Sequence, residues 1–317
     1  MPFPYKEFDL AGIQTYPLKS RPSKTRVEDF AKPVAPAATI GAFLDSLPDI
    51  LAAANLKTIV RAIVDARRDS GIVWGVGAHV IKTGVGPVLI DLMRRGFVSA
   101  LALNGAAVIH DFEIALAGAT SENVDESLGP GRFGMAEETG RLLNGAIAEG
   151  VARGLGIGQA VGRFLVDKSP QFGRSSLMAE AARLDVPVTV HVAIGTDIIH
   201  MHPSASGSAI GEGSLRDFRY FVSNVARLER GVYLNCGSAV VLPEVFLKAV
   251  ALARNQRRAL SGLTTVNLDF IRSYRPETNV VSRPTAGTGR GYSLVGHHEI
   301  MIPLLAAAIL VADSSRA

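Results

Sequence analysis

The chain has 317 residues, of which 48% are hydrophobic and 20% charged, and its formal net charge at neutral pH is +4. This composition provides for a large core and excludes a disordered chain, and the dispersed charge lacks the basic face that nucleic-acid binding requires. No apolar run is long enough for a membrane span, the N-terminus lacks a signal-peptide pattern, and one cysteine, Cys236, excludes a disulfide framework. We therefore expect a cytoplasmic protein without nucleic-acid or membrane partners.

The first 38 residues differ from the rest of the chain, because they are rich in proline and charge. They predict an extended arm that packs on a neighbour or on the domain surface. Residues 39–317 show neither an internal repeat nor a break in composition, which predicts one domain. This domain begins with apolar residues at helical spacing from Thr39 to Ala66, where Pro48 is expected to separate two helices.

Beyond residue 70, short apolar runs alternate with segments of helical periodicity. The predicted strands are residues 72–76, 98–103, 185–193, 231–236 and 264–270. The predicted helices are residues 84–95, 133–150, 175–184, 215–228, 243–256 and 300–311. Residues 282–291 are predicted to form a loop, and the glycine-rich run 154–162 to connect two helices, because no strand precedes it. The alternation predicts an α/β fold: a single doubly wound, mostly parallel, Rossmann-like sheet with a helical N-terminal region.

Polar loops follow the predicted strands, and six of the seven histidines lie in them or at the start of the final helix: His79, His110, His200, His202, His297 and His298. Carboxyl ends of parallel strands share one edge, so we expect these loops to gather at one pocket. Histidine is readily tuned for proton transfer, and Asp111 and Asp197 lie beside His110 and His200. The two histidines are the acid/base candidates. The two aspartates are candidate anchors for ribose or a cationic substrate.

Two kinds of site are possible at this edge of the sheet, a metal site and a phosphate-binding site. His200 and His202, with a nearby carboxylate, could ligate a divalent metal, although no His-Glu-x-x-His helix or cysteine pair is present. Glycine-flanked loops could instead let backbone amides approach a phosphate, the glycines being Gly77, Gly84, Gly105, Gly195 and Gly237. Lys82 lies in the first of these loops, where it is either a desolvated amine nucleophile or a solvated residue.

Six short segments carry a resemblance to one enzyme family. They are Ala78-His-Val-Ile-Lys-Thr-Gly84, Asn104-Gly105-Ala-Ala, Val186-Pro-Val with Thr196-Asp197, Gly237-Ser-Ala-Val-Val241, Arg275-Pro276-Glu277 and Pro303-Leu-Leu305. Their order and character resemble the motifs of deoxyhypusine synthase and its bacterial homologues. The resemblance implies a Rossmann-like fold that binds NAD at the subunit interfaces of a homotetramer.

The resemblance also implies roles for individual residues. The expected cofactor-binding residues are Gly77, Thr83, Gly84, Asn104, Gly105, Thr196 and Gly237. The expected substrate residues are His79, Lys82, His202, Arg275 and Glu277. The family's catalytic lysine has no counterpart in residues 280–284, and arginine cannot replace it because guanidinium stays protonated. The resemblance is therefore to a divergent relative that does not make deoxyhypusine.

Three functions are consistent with these residues. The first is an NAD- or nucleotide-binding enzyme, a transferase or oxidoreductase, acting on a small substrate, with amine-bearing compounds among the candidates. The second is a metal-dependent hydrolase or lyase that uses His200 and His202. The third is a nucleotide-binding protein without catalytic activity. All three functions imply a small-molecule partner. The family resemblance favours a homo-oligomer.

Overall fold

The computed structural model describes residues 3–315 and contains one six-stranded sheet in which every neighbouring pair of strands is parallel. The strand order is β3-β2-β1-β4-β5-β6. The strands are β1 Ile72–Val76, β2 Ala100–Asn104, β3 Val188–His191, β4 Val232–Cys236, β5 Thr264–Asp269 and β6 Arg290–Val295. The predicted Rossmann-like α/β sheet is confirmed, and it is parallel throughout.

Strand order and register determine where the loops emerge. β1 and β4 are neighbours at the centre of the sheet, where the order of strands reverses. Val76 at the end of β1 pairs with Leu103 of β2 and with Cys236 of β4, so the three strands end level. In open parallel sheets a crevice forms at such a reversal, and it receives ligands.

Helices cover both faces of the sheet. They are α1 Ile40–Ser46, α2 Leu51–Asp69, α3 Ala78–Lys82, α4 Gly86–Arg94, α5 Gly105–Ala117, α6 Val124–Leu128, α7 Glu137–Ala152, α8 Ile157–Lys168, α9 Leu177–Arg183, α10 Gly207–Val225, α11 Val241–Asn255, α12 Tyr274–Pro276 and α13 His298–Ser314. A π-helical turn, Glu277–Ser282, follows α12. None of the helices between residues 3 and 315 is both long and apolar enough to span a bilayer.

Strand side chains alternate between two buried layers. Trp74 and Leu101 belong to the larger layer, which includes α2, α4, α5 and α13, and the Trp74 indole donates to the Phe97 carbonyl at 3.0 Å. Tyr233 belongs to the smaller layer beneath α10 and α11, and its ring stacks on Phe246 with centroids 3.7 Å apart. The two layers make this a doubly wound domain.

All five predicted strands occur, but α5 occupies a segment predicted as a loop, α8 begins within the run predicted to connect two helices, and one strand was not predicted. β1 has its predicted bounds, and α1 and α2 are separate helices on either side of Pro48. The strand β6 falls partly in the predicted loop 282–291 and was missed, because it lies at the sheet edge and buries only Leu294 fully. Its sequence therefore lacks the apolar pattern by which buried strands are recognised.

The N-terminal segment that precedes α1 is extended and exposed, with two short 3-10 turns at Leu18–Ser20 and Val27–Asp29. Two backbone hydrogen bonds attach it to the domain, from Lys32 to Ser46 and from Asp49 to Asp29. Its assignment as a unit separate from residues 39–317 stays a prediction.

The free side of the edge strand β3 is closed by side chains of α10. The Asp217 carboxylate accepts from the backbone amides of Val190 and Gly158, both at 2.9 Å. Ser214 accepts from the amide of Val192 and donates to the carbonyl of Val190, at 3.1 Å each. These contacts occupy edge groups that would otherwise pair with another strand. Burial raises the pKa of Asp217 from 3.8 to about 7, against the opposing effect of its amide donors.

This raised pKa predicts a pH-dependent stability. Because the folded value exceeds the unfolded one, the contribution of Asp217 is fully present below pH 3.8 and is lost as pH rises through about 7. We expect the free energy of unfolding to fall between pH 5 and pH 8 more steeply in the wild type than in Asp217→Asn. Urea denaturation at both pH values measures this, with the exposed Asp167→Asn as control. Equal slopes in wild type and Asp217→Asn would contradict the assignment.

Candidate functional site

The loops that follow β1 and β4 touch at the strand reversal. Gly77 donates its amide to the Cys236 carbonyl at 2.8 Å, and a Cβ on Gly77 would lie 2.1 Å from the Gly237 carbonyl oxygen. Gly237 has a φ of +67°, in the left-handed region that favours glycine. Only glycine permits this approach, so the two backbones form a narrow floor at the centre of the carboxyl edge.

A buried imidazole lies beside this floor. His298, the first residue of α13, is fully buried, and neither ring nitrogen has a hydrogen-bond partner within residues 3–315. Its Nε2 lies 3.6 Å from Oδ1 of Asp269, at the end of β5, and a Cβ on Gly237 would lie 2.8 Å from the same nitrogen. Buried polar groups are normally hydrogen-bonded, so an unpaired imidazole here identifies a candidate functional group.

Aromatic rings surround His298 and Asp269. The His79 ring centroid lies 5.7 Å from that of His298 and 5.5 Å from that of Phe270, and Phe270 stacks on His297 at 6.1 Å. Asp269 is buried, whereas His79, Phe270 and His297 are exposed. A buried carboxylate next to aromatic rings that reach solvent is complementary to an organic cation. We name His79, Gly237, Asp269, Phe270 and His298 the switch-point cluster.

Sequence reasoning selected two members of this cluster, His79 and Gly237, together with the adjoining Gly77. It did not select Asp269, Phe270 or His298 as site residues. Asp269 and Phe270 were read as part of a predicted strand. The adjacent pair His297-His298 was an available signal, but the strand β6 that places it at this edge was not recognised.

A second group of predicted residues meets at the ends of β2 and β3. Asn104 accepts from the Ala107 amide and begins α5, and a Cβ on Gly105 would lie 1.9 Å from Oδ2 of Asp197. Burial raises the pKa of Asp197, and His200 opposes this shift. Nδ1 of His200 accepts from the amides of Gly195 and Asp197 at 3.1 and 3.3 Å. The loops after β2 and β3 pack against each other, but most of their polar groups form hydrogen bonds within the turn that follows β3. Thr196 is exposed and donates to the Ala193 carbonyl at 2.7 Å.

His110 and Asp111 lie within α5, so their predicted position in a loop at the edge is wrong. Asp111 is fully buried and accepts from Ser176 Oγ at 2.5 Å and from the Leu177 and Met178 amides at 2.7 and 3.1 Å. It therefore caps α9 from the neighbouring helix. Burial raises its pKa to about 6. The predicted position of His110 and Asp111 was wrong because α5 begins at Gly105, directly after β2, where a loop was expected.

The imidazole of His110 belongs to a chain of polar side chains. Its Nδ1 lies 2.7 Å from the Thr120 hydroxyl, which donates to Glu113 Oε2 at 2.5 Å, and Thr139 donates to the other Glu113 oxygen at 3.0 Å. Burial lowers the pKa of His110, Glu113 opposes this and Lys82 reinforces it. Lys82 on α3 is thus close to α5, in an exposed position.

The remaining predicted residues are dispersed. His202 lies 3.1 Å from Glu137 and 2.7 Å from Ser204, away from the strand reversal. Arg275 pairs with Glu244 of α11 at 3.3 Å, and Glu277 accepts from Ser293 of β6 at 2.5 Å. Thr83 donates to the Val80 carbonyl at 2.9 Å, and the exposed Gly84 faces open space with a φ of +79°. Although the predicted loops lie at one edge of the sheet, their polar side chains do not all meet at one pocket.

The alternative metal site at His200 and His202 lacks the required donor geometry. Nδ1 of His200 accepts from backbone amides, and His202 is engaged by Glu137 and Ser204. Nε2 of His200 is buried without a hydrogen-bond partner in the described residues, 3.9 Å from Oδ2 of Asp197. Within residues 3–315 no group of three or more histidine, cysteine or acidic side chains is arranged to hold a metal ion.

Comparison with solved structures shows the fold. A "conserved putative LOR/SDH protein" from Methanococcus maripaludis S2 aligns with 82% of this chain over 70% of its own, at 16% identity and a TM-score of 0.52. AgrE in a ternary complex with ornithine and NAD+ aligns with 83% of the chain, at 18% identity and 0.54. A "putative deoxyhypusine synthase" from Entamoeba histolytica aligns with 87% of the chain over 95% of its own, at 11% identity and 0.50.

The chain has a deoxyhypusine synthase-like fold. The predicted resemblance is thus confirmed at the level of the fold. The chain spans about a third of the length of AgrE, 33%. No protein-family model matches the sequence, and no curated protein matches it.

The capping role of Asp111 predicts a large loss of stability on its removal. Asp111→Ala leaves one hydroxyl and two amide donors buried without an acceptor, so we expect the free energy of unfolding to fall by about 3 kcal/mol. Asp91→Ala removes an exposed ion pair with Arg95 and should cost about 0.5 kcal/mol. Urea denaturation at pH 7 measures both variants. Similar losses would show that Asp111 does not cap α9.

Proposed function

We propose that the switch-point cluster binds NAD or a related nucleotide, and that the protein is an enzyme acting on a small, amine-bearing substrate by redox or group transfer. The observation that carries the proposal is the buried, unpaired His298 at the reversal of a sheet with the strand order β3-β2-β1-β4-β5-β6. Doubly wound sheets bind dinucleotides in the crevice at this position.

The chemistry of the cluster fits this ligand. A nicotinamide ring in its oxidised form and a protonated amine are both organic cations, and Asp269 with the His79 and Phe270 rings presents a carboxylate between aromatic faces. The AgrE structure, which shares the fold, contains ornithine and NAD+. Both an aromatic cation and an amine thus occur together in a protein of this architecture.

The phosphate-binding turn departs from the usual dinucleotide fingerprint. Gly77 occupies the first glycine position after β1, but His79 and Lys82 occupy the second and third. Both side chains are exposed, and Lys82 supplies a positive charge near the start of the crevice. Asn104 ends β2, where many such proteins have an acidic group for ribose, and its side chain caps α5. The proposed nucleotide would thus be held by side-chain charge more than by glycine amides.

Each residue of the switch-point cluster would have its own role in such a reaction. NAD, when bound, supplies an acceptor or donor of hydride. His298 would hold or transfer the proton of the substrate amine, because both its ring nitrogens are free and Asp269 lies 3.6 Å away to stabilise the protonated ring. His79 and Phe270 would exclude water and position a flat or cationic group. Deoxyhypusine synthesis is not proposed, because residues 280–284 contain no lysine.

Direct binding tests the proposal. Titration of the purified protein with NAD+ and with NADH, followed by calorimetry and by NADH fluorescence, should give saturable binding of at least one form. Substitution of the imidazole by His298→Gln, which adds no ring volume to the packed site beside Gly237, should abolish turnover of the substrate once identified, and thermal melts check that the variant folds. Absence of saturable binding of either form would overturn the proposed cofactor.

A glycine variant locates the site independently. Gly237→Ala places a Cβ 2.8 Å from Nε2 of His298 and 3.0 Å from Val80, so we expect the dissociation constant for the nucleotide to rise at least about tenfold. Gly154→Ala is the matched control, because Gly154 also has a positive φ, +82°, but has no atom within 4 Å of the added carbon.

Both substitutions carry a similar backbone strain of about 1–2 kcal/mol, and thermal melts confirm that each variant folds. A nucleotide affinity reduced equally by Gly237→Ala and Gly154→Ala would report strain alone. An affinity unchanged in Gly237→Ala would place the nucleotide elsewhere.

A further inference from the structure

A second cavity lies at the opposite edge of the sheet, where β3 begins. Its volume is about 330 Å³, within the range of small-ligand sites. Its lining comes from α8, α9, the segment leading into β3, and the last turns of α10. Because α10 runs from the carboxyl edge to the amino edge, this cavity is separated from the switch-point cluster by the length of the sheet.

The floor of the cavity is apolar and closed. Met178, Ala182, Val186 and Pro187 contribute the apolar surface. Gly158 packs so closely on the backbone of β3 that a Cβ there would lie 2.1 Å from the Val188 carbonyl oxygen. This contact and the Asp217 hydrogen bonds leave no gap between α8 and the edge of the sheet, so the cavity opens only toward solvent.

The rim of the cavity carries two opposite charges. Arg163 on α8 and Asp185 before β3 both line it, and neither side chain has an ion pair or a hydrogen bond within residues 3–315. By contrast, the nearby Arg183 pairs with Glu180 at 2.6 Å. Apart from Asp217, which is bonded to backbone amides, the described residues that line the cavity thus include one cation and one anion without a partner, Arg163 and Asp185.

The wall formed by α10 carries polar groups, among them the Asp217 carboxylate, whose Oδ2 accepts from the Gly158 and Val190 amides. The Nδ2 atom of Asn224 is buried without a hydrogen-bond partner in the described part of the chain. Tyr220, one helical turn earlier, lines the same wall, and Gln159 lies one turn before Arg163 on the wall opposite. A buried amide donor without an acceptor costs free energy unless a ligand or water supplies one.

We propose that this cavity binds a zwitterionic small molecule with an apolar side chain, in the chemical class of a free apolar amino acid. Its carboxylate would contact Arg163, its ammonium group would contact Asp185, and its side chain would lie on Met178 and Pro187. The site is independent of the proposed nucleotide site, because none of its lining residues belongs to the switch-point cluster.

Calorimetric titration with L-leucine and L-phenylalanine tests the proposal. Two half-ligands, 4-methylpentanoate and 3-methylbutylamine, each carry the leucine side chain with only one of the two charges. We expect saturable binding of at least one amino acid, and affinities at least about tenfold weaker for both half-ligands, since each loses one charge-assisted contact.

Charge-removing variants assign the binding to this cavity. Arg163→Gln and Asp185→Asn should each weaken amino-acid binding at least about tenfold, whereas Arg258→Gln and Asp45→Asn, which remove the same charges from exposed positions elsewhere, should not. Asp185 has a φ of +53°, and asparagine adopts this region readily, so Asp185→Asn keeps the backbone unstrained.

Three outcomes would overturn the assignment: no saturable binding of either amino acid, a half-ligand affinity equal to that of leucine, or binding that both cavity variants retain. NAD titration of the same variants gives an independent readout. Nucleotide binding that persists in Arg163→Gln while leucine binding is lost would support two separate sites.

Discussion

The contact between Gly77 and Gly237 is the constraint on which the candidate site depends. The parallel neighbours β1 and β4 end level at the point where the order of strands reverses, and their loops touch through backbone atoms. A side chain at either position would separate the loops or displace His298. Because neither loop can move away, the rings of His79, Phe270 and His298 are held around Asp269 at fixed distances.

Hydrogen bonding distinguishes structural groups from candidate functional ones. Asp111 and Asp217 are buried carboxylates with raised pKa values, yet each accepts from backbone amides that no other group satisfies. Their burial is explained by helix capping and by closure of a sheet edge. His298 is equally buried, but its ring nitrogens have no partner in the described residues. His298 shares this property with other buried side chains, such as Tyr233 and Asn235, and differs from them in its position beside Asp269 at the strand reversal.

The two proposed ligand sites occupy opposite edges of the same sheet. At the carboxyl edge the proposed site lies where the order of strands reverses between β1 and β4. At the amino edge the cavity arises because β3 is an outer strand, whose free side is covered by α8 and α10 instead of another strand. The order of strands determines both positions, and α10 extends from one edge of the sheet to the other.

The sequence by itself determined the fold class, the bounds of β1 and the separation of α1 from α2, because buried parallel strands are continuous apolar runs and proline interrupts helices. It also selected His79, Gly77 and Gly237. Only the tertiary structure decided which polar residues meet. β6 has no apolar signature, so the position of His298 beside Asp269 could not be read from the chain. Strand order is set by packing between segments far apart in sequence, and local patterns do not encode it.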